Sequence, residues 1–191
     1  MNLPTKITIS RIVLIPVIIL FCCLNQVMLY YYIPMTILFV IAVMTDFVDG
    51  KMARKTGQVT SLGKFLDPIA DKMLTVAGIM IVIEIDAFSI PYYALVTVTL
   101  ILSREFIIGV FRQIAASKGI VIGADKLGKY KTASTFFGLT WLMLTPCYSS
   151  SLMLAKVFWI MGITFFSLAT LLTVISGIHY MVKNKEVLLD K

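Results

Sequence analysis

The chain reads as an all-α, polytopic membrane protein, and three features predict it. Of its 191 residues, 59% are hydrophobic and only 14% are charged, with a mean hydropathy of +0.95, far from the balance of a water-soluble domain. Six apolar segments, at 12–30, 33–48, 73–90, 91–111, 133–149 and 156–182, each approach the roughly 20 residues that a helix needs to cross the hydrocarbon core. None shows the two-residue alternation of a barrel strand, and lipid admits only helices or closed barrels because every backbone polar group must be satisfied internally. The expectation is six transmembrane helices in a single membrane domain over residues 1–191.

The first segment has a basic start, Lys6 and Arg11, but no small-residue cleavage site follows it, and Phe21 precedes Cys22. It is expected to be a retained helix and not a signal peptide, preceded by a short interfacial stretch, "NLPTKITISR". The three cysteines, Cys22, Cys23 and Cys147, lie in or near apolar segments and read as free thiols. His179 lies at the end of the last apolar segment, where a lone imidazole suits an interfacial position.

Charge orients the segments. Lys51, Arg54, Lys55 and Lys64 fall between the second and third, and Arg112, Lys118, Lys126, Lys129 and Lys131 between the fourth and fifth, while Lys183, Lys185 and Lys191 form the tail. The alternate connections carry little that is basic: "NQVMLYYY" has no charge, "EIDAFSIP" has only acids, and the stretch before the sixth segment has Lys156. By the positive-inside rule, both termini and the two basic loops face the cytoplasm. The net charge of +7 therefore follows membrane topology, which removes the case for a nucleic-acid-binding surface.

The second and third segments meet in "MTDFVDGKMARKTGQVTSLGKFLDPIADKML", which holds four of the ten acidic residues, Asp46, Asp49, Asp67 and Asp71. A carboxylate inside a membrane helix costs about 2.5–3.5 kcal/mol by insertion scales, so four of them demand compensation. On a helix, Asp46, Asp49, Gly50 and Ala53 form one stripe at the end of the second segment, and Gly63, Asp67 and Asp71 a second stripe at the start of the third. Packed as neighbours, these helices would bring two pairs of carboxylates together. Such a group cannot all ionise in a low dielectric without cations, and Lys51, Lys55, Lys64 and Lys72 lie mostly off the stripes. Oxygen-only donors suit hard divalent ions such as Mg²⁺, Mn²⁺ or Ca²⁺, and four carboxylates suit a two-metal centre of the kind that acts on phosphate esters. Gly50 and Ala53 leave room for a ligand beside the backbone, and Arg54 can hold a phosphate. From spacing alone, an ion or proton path is an equal reading, and small residues also serve close helix packing.

Written as a pattern, residues 46–71 are D-x2-D-G-x2-A-R-x8-G-x3-D-x3-D. This resembles the signature of the CDP-alcohol phosphotransferases, with every fixed position present. The stretches "NLPTKITISR", "SREFIIGVFR" and "ADKLGKYKT" are similar to those of one branch, the phosphatidylglycerophosphate synthases. The resemblance implies attack of an alcohol on the lipid-linked phosphorus of CDP-diacylglycerol with release of CMP, the acceptor being glycerol 3-phosphate. It implies that Asp46, Asp49, Asp67 and Asp71 hold two divalent ions, Mg²⁺ or Mn²⁺, that Asp71 is also the general base, and that Asp49, Gly50, Ala53 and Arg54 accommodate the CDP-lipid. It further implies a homodimer with its active site at the cytoplasmic face. An acceptor carrying a phosphate needs a cationic pocket, for which Arg112, Lys126, Lys129 and Lys131 are the candidates, and Arg112 foremost because it extends a helix already holding Arg104 and Glu105. Those two are expected to pair locally and serve the structure. Sister activities on other acceptors, such as cardiolipin or phosphatidylinositol synthesis, are the alternative, and after them a transporter that uses the acidic cluster or a non-catalytic scaffold.

Overall fold

The computed structural model describes residues 3–24, 30–56, 61–120, 126–145 and 152–185; within these, the side chains of residues 3, 4, 46–56, 61, 62, 64, 126 and 152 lie outside the description. The described residues form six helices and no strand: α1 Leu3–Cys23, α2 Tyr32–Thr56, α3 Ser61–Glu84, α4 Tyr93–Ser117, α5 Lys126–Leu144 and α6 Leu152–Lys183. Three are long and apolar enough to cross a membrane, over Thr5–Cys23, Tyr93–Ser117 and Met153–Lys183, and α2 carries a shorter apolar stretch, Tyr32–Thr45. In α3 the apolar run is interrupted by Lys64, Asp67, Asp71 and Lys72.

Each apolar segment of the sequence becomes one helix, but several boundaries move for identifiable reasons. The expected separate N-terminal interfacial segment is not a separate element. Leu3–Ser10 is continuous with the rest of α1, and its buried Thr5 and Thr8 make it part of the packed wall. The third segment stops being helical at Glu84, six residues early. Asp86, Ser89 and Tyr92 adopt left-handed backbone conformations, and Pro91 disfavours helical geometry at Ile90 before it. The fourth segment runs past Arg112 to Ser117, where Gly119 at φ 74° ends it. The Ile120 and Gly119 amides return to the Ala115 and Ala116 carbonyls at 2.9 and 3.0 Å, a Schellman motif that glycine supports without strain.

The helices group into two compact units, residues 1–87 with 139–161, and residues 88–138 with 162–191. In the first unit, α1 packs against both α2 and α3, which also touch each other. Its buried face is Thr5, Thr8, Arg11, Ile15, Ile18 and Cys22, a single helical stripe that is polar in its first half and apolar in its second. α2 contributes Tyr32, Met35, Phe39 and Ala42, and α3 contributes Ala70, Leu74, Ala77 and Ile81, each at the three- and four-residue spacing of a core face. Trp141 stacks on Phe158 with centroids 4.9 Å apart.

In the second unit, Tyr93 bonds Ser167, Arg104 bonds Ser176 and Arg112 bonds Tyr180. These pairs ascend together along α4 and α6, so the two helices run in the same direction. α5 runs against them, because Lys131 meets Glu105 while Gly138, two turns later, meets Phe166. Gly138 makes a close approach: a Cβ there would stand 2.8 Å from the Phe166 backbone nitrogen, with no flexible side chain to give way. Gly128, on the same helix, has nothing within 4 Å of its would-be Cβ.

The two glycines should therefore respond oppositely to one substitution. Gly128→Ala is expected to stabilise the protein by about 0.4–1 kcal/mol by restricting the unfolded chain. Gly138→Ala is expected to destabilise it by about 1–3 kcal/mol by overpacking the α5–α6 contact. Melting of both variants in one detergent measures the difference, and a gain for Gly138→Ala would contradict the close approach.

Candidate functional site

Two groups of charged residues stand out, one in each unit. The first is the acidic stretch. Asp46 and Asp49 lie on α2, in the turns that extend its apolar part toward Thr56. Asp67 and Asp71 lie in the first half of α3, one turn apart and so on one face with the buried Gly63. Asp67 is exposed and Asp71 is half-buried. The Thr8 hydroxyl, from α1, donates to Asp67 Oδ1 at 2.7 Å, and Arg11, three residues along the same stripe, is fully buried. The side chains of Asp46, Asp49, Ala53 and Arg54, and the surroundings of Gly50, lie outside the described residues.

Among the described residues, which do not include the side chains of Asp46 and Asp49, no three carboxylate, imidazole or thiol groups converge as a metal cluster. What is described fits a hard divalent ion. Asp67 and Asp71 offer oxygen donors at one-turn spacing, and the hydrogen bond from Thr8 occupies one oxygen of Asp67 while leaving the other able to ligate. Magnesium and manganese ions both accept such a donor set.

The second group is the set of candidate cations on α4 and α5. Arg112 is exposed, and its guanidinium lies 5.3 Å from the centroid of the Tyr180 ring while its Nε donates to Tyr180 Oη at 3.1 Å. The Tyr180 ring is itself wedged edge-on against Phe111, centroids 5.8 Å apart, in a small core with Ile108 and Ala115. Arg112 is thus anchored through one nitrogen and one face, and its two terminal amino groups remain able to grip a phosphate bidentately.

Lys129 and Lys131 are separated by the structure. Two positions apart on a helix, they lie on opposite faces, Lys129 exposed and Lys131 6% exposed. The Lys131 ammonium pairs with Glu105 Oε1, which also accepts from Arg104 Nη1 at 3.2 Å, and Arg104 Nη2 donates to the buried Ser176 at 3.2 Å. Arg104 and Glu105 therefore pair locally, as their place in an apolar run implies. Lys131 joins them and is not simply available as a free surface cation. Gly177 lets this happen, because a Cβ there would stand 3.0 Å from Arg104 Cγ. Lys126 opens α5, and its side chain lies outside the described residues.

Sequence reasoning passed over Thr8, Arg11, Tyr180 and the Glu105–Lys131 pair. Thr8 and Arg11 carried a signal, as Thr5, Thr8 and Arg11 recur at three-residue spacing directly ahead of an apolar face. Tyr180 and the partner of Lys131 carried none, since they depend on which helices meet.

The CDP-alcohol phosphatidyltransferase family matches residues 1–175 of the chain. A Bacillus subtilis protein named CDP-diacylglycerol–glycerol-3-phosphate 3-phosphatidyltransferase is 36% identical over 200 residues, covering 98% of this chain and 97% of that one. Proteins of the same name from Rickettsia bellii and Shigella flexneri are 38% and 31% identical, covering 94% and 100% of this chain and 93% and 98% of their own.

The buried pair on α4 and α5 yields a stability prediction. Glu105→Gln leaves the Lys131 ammonium buried without its carboxylate and is expected to destabilise the protein by about 1.5–3 kcal/mol, the worth of a charged hydrogen bond. Replacing both partners together, Glu105→Leu with Lys131→Met, is expected to recover part of that loss, because the Lys131 charge is removed with its partner while Arg104 keeps its bond to Ser176. Unfolding of the single and double variants in detergent checks this, and a double variant less stable than Glu105→Gln would contradict it.

Proposed function

The chain belongs to the CDP-alcohol phosphatidyltransferase family, and from that premise we propose that it transfers the phosphatidyl group of CDP-diacylglycerol to glycerol 3-phosphate, releasing CMP. The observation that carries this reading is the complete D-x2-D-G-x2-A-R-x8-G-x3-D-x3-D pattern at residues 46–71, in a chain alike over nearly its whole length to proteins named for that reaction.

Asp46, Asp49, Asp67 and Asp71 would hold two divalent ions, Mg²⁺ or Mn²⁺. Bound there, such ions would supply positive charge against the pyrophosphate and the departing CMP phosphate. Asp71 accepts the proton of the acceptor's attacking hydroxyl as its oxygen bonds to the lipid-linked phosphorus and the bond to CMP breaks. Gly50 and Ala53 leave the backbone accessible beside the cytidine and pyrophosphate, and Arg54 and Asp49 hold the CDP-lipid in place. Arg112, anchored by Tyr180, grips the acceptor's phosphate, and Lys126 and Lys129 add positive charge on α5, while Lys131 is taken up by its pair with Glu105. The diacylglycerol tails need the bilayer while cytidine and glycerol 3-phosphate come from water, which explains a polar site at the end of apolar helices.

The protein is an integral membrane protein. Our reading has all six helices crossing in a single domain, the catalytic face cytoplasmic (in the cell membrane if the source is bacterial), and the chain assembled as a homodimer. The parallel course of α4 and α6, with α5 opposed, is the order that an up-and-down membrane bundle requires.

The purified protein should release CMP from CDP-diacylglycerol when glycerol 3-phosphate is supplied, and not with inositol, serine or phosphatidylglycerol. In the same assay, Arg112→Ala is expected to lower acceptor efficiency by roughly 10- to 150-fold, the loss of a charged contact of about 1.5–3 kcal/mol, with the KM for CDP-diacylglycerol little changed. Release with another acceptor alone would reassign the activity within the family, and equal losses for both substrates would give Arg112 a structural role.

Asp71→Asn keeps the shape of a ligand but not its basicity, so its turnover should stay about 10²–10⁴-fold low at saturating metal. Asp46→Asn should instead be partly rescued by excess Mg²⁺ or Mn²⁺. Near-normal turnover of Asp71→Asn at high metal would remove the base assignment.

Single cysteines at Ser61 and Ser150 should be labelled from opposite sides of the membrane, Ser61 from the cytoplasm. Labelling of both from one side would contradict the topology.

A further inference from the structure

We propose that Thr8 is a positioning residue for the metal centre, acting through Asp67; this rests on the reading of Asp67 as a metal ligand. Thr8 belongs to α1, far from the acidic stretch in sequence, yet its hydroxyl reaches Asp67 Oδ1 at 2.7 Å across 59 positions. It is 1% exposed, so the hydroxyl is held in a packed helix contact and does not compete with bulk water for its partner. The wall it belongs to changes character along its length. The α1 face is Thr5, Thr8 and Arg11 where it meets the carboxylate of α3, and Ile15, Ile18 and Cys22 beyond it.

A carboxylate on a helix surface can rotate about its terminal torsion, which is broad for aspartate. A hydrogen bond to one oxygen selects one orientation and presents the other oxygen in a defined direction. A neutral donor does this without neutralising the charge that a cation needs. Hydrogen-bonding partners of metal ligands generally matter in this way, and their loss weakens metal binding or activity by about 10–100-fold. The first turns of α1 thereby become part of the active-site apparatus, coupling the seating of α1 on α3 to the geometry of the metal site.

The test is Mn²⁺ affinity of the full-length protein in detergent, read from the electron paramagnetic resonance of free Mn²⁺, for native protein, Thr8→Val, Thr8→Ala, Thr8→Ser and Asp67→Asn, with metal-free melting measured on each. Thr8→Val keeps the shape and removes the hydroxyl, and Thr8→Ala removes it from a smaller side chain should valine disturb folding. Both are expected to bind Mn²⁺ about 10- to 100-fold more weakly, while Thr8→Ser restores affinity close to native. Native affinity in Thr8→Val or Thr8→Ala while Asp67→Asn loses it would overturn the role of Thr8 and leave the metal site standing. Loss in Thr8→Ser equal to that in Thr8→Val would also overturn it, by assigning the effect to packing of the methyl group. Native affinity in Asp67→Asn would instead remove Asp67 as a ligand, and with it the premise.

Discussion

Aspartates in apolar helices must be compensated, and much else in this chain follows from that constraint. Asp67 and Asp71 occupy one face of α3 in a protein that exposes many large aliphatic and aromatic side chains. Thr8 satisfies one oxygen of Asp67, but a hydroxyl orients a carboxylate without neutralising it. The sequence adds Asp46 and Asp49 to the same stretch and places its lysines mostly off the acidic stripes. On the function proposed above, divalent cations, and then the phosphates they attract, would complete this negative charge.

The second unit resolves the same problem within itself. Glu105 lies in an apolar helix, and it is met by Lys131 and Arg104, with Ser176 completing the set. Such a network compensates charge with charge and pins α4 to α5 and α6. Glu105 is matched by cations of its own chain, and the described bond to Asp67 comes from a neutral group. Arg112 is held differently, by an aromatic ring and a phenol.

The helices and the chemistry were legible in the sequence because both are written locally. Apolar runs report helices, and the helical period sets Asp46 with Asp49 on one face of α2 and Asp67 with Asp71 on one face of α3. Boundaries were less so. The polar "NLPTKITISR" reads as a surface stretch until α2 and α3 are present to bury Thr5, Thr8 and Arg11, because burial of a polar stripe is decided by its neighbours. The extension of α4 past Arg112 was signalled by Gly119, whose capping role outranks the loss of hydropathy there. The seating of Lys131 on Glu105 and of Arg112 on Tyr180 had no local signature at all. Both depend on tertiary contacts between residues 26 and 68 positions apart.

The central claim is that the four aspartates are a divalent-metal centre. Crystals of the protein grown with Mn²⁺ and measured at the manganese absorption edge test it most directly, since anomalous scattering locates the ion independently of any assumed mechanism. The account predicts two anomalous peaks, about 3.5–4 Å apart as in two-metal phosphoryl-transfer sites, each within ligand distance of carboxylate oxygens from Asp46, Asp49, Asp67 and Asp71. Strong peaks elsewhere with none at these carboxylates, or Lys and Arg side chains occupying the space between them, would contradict it.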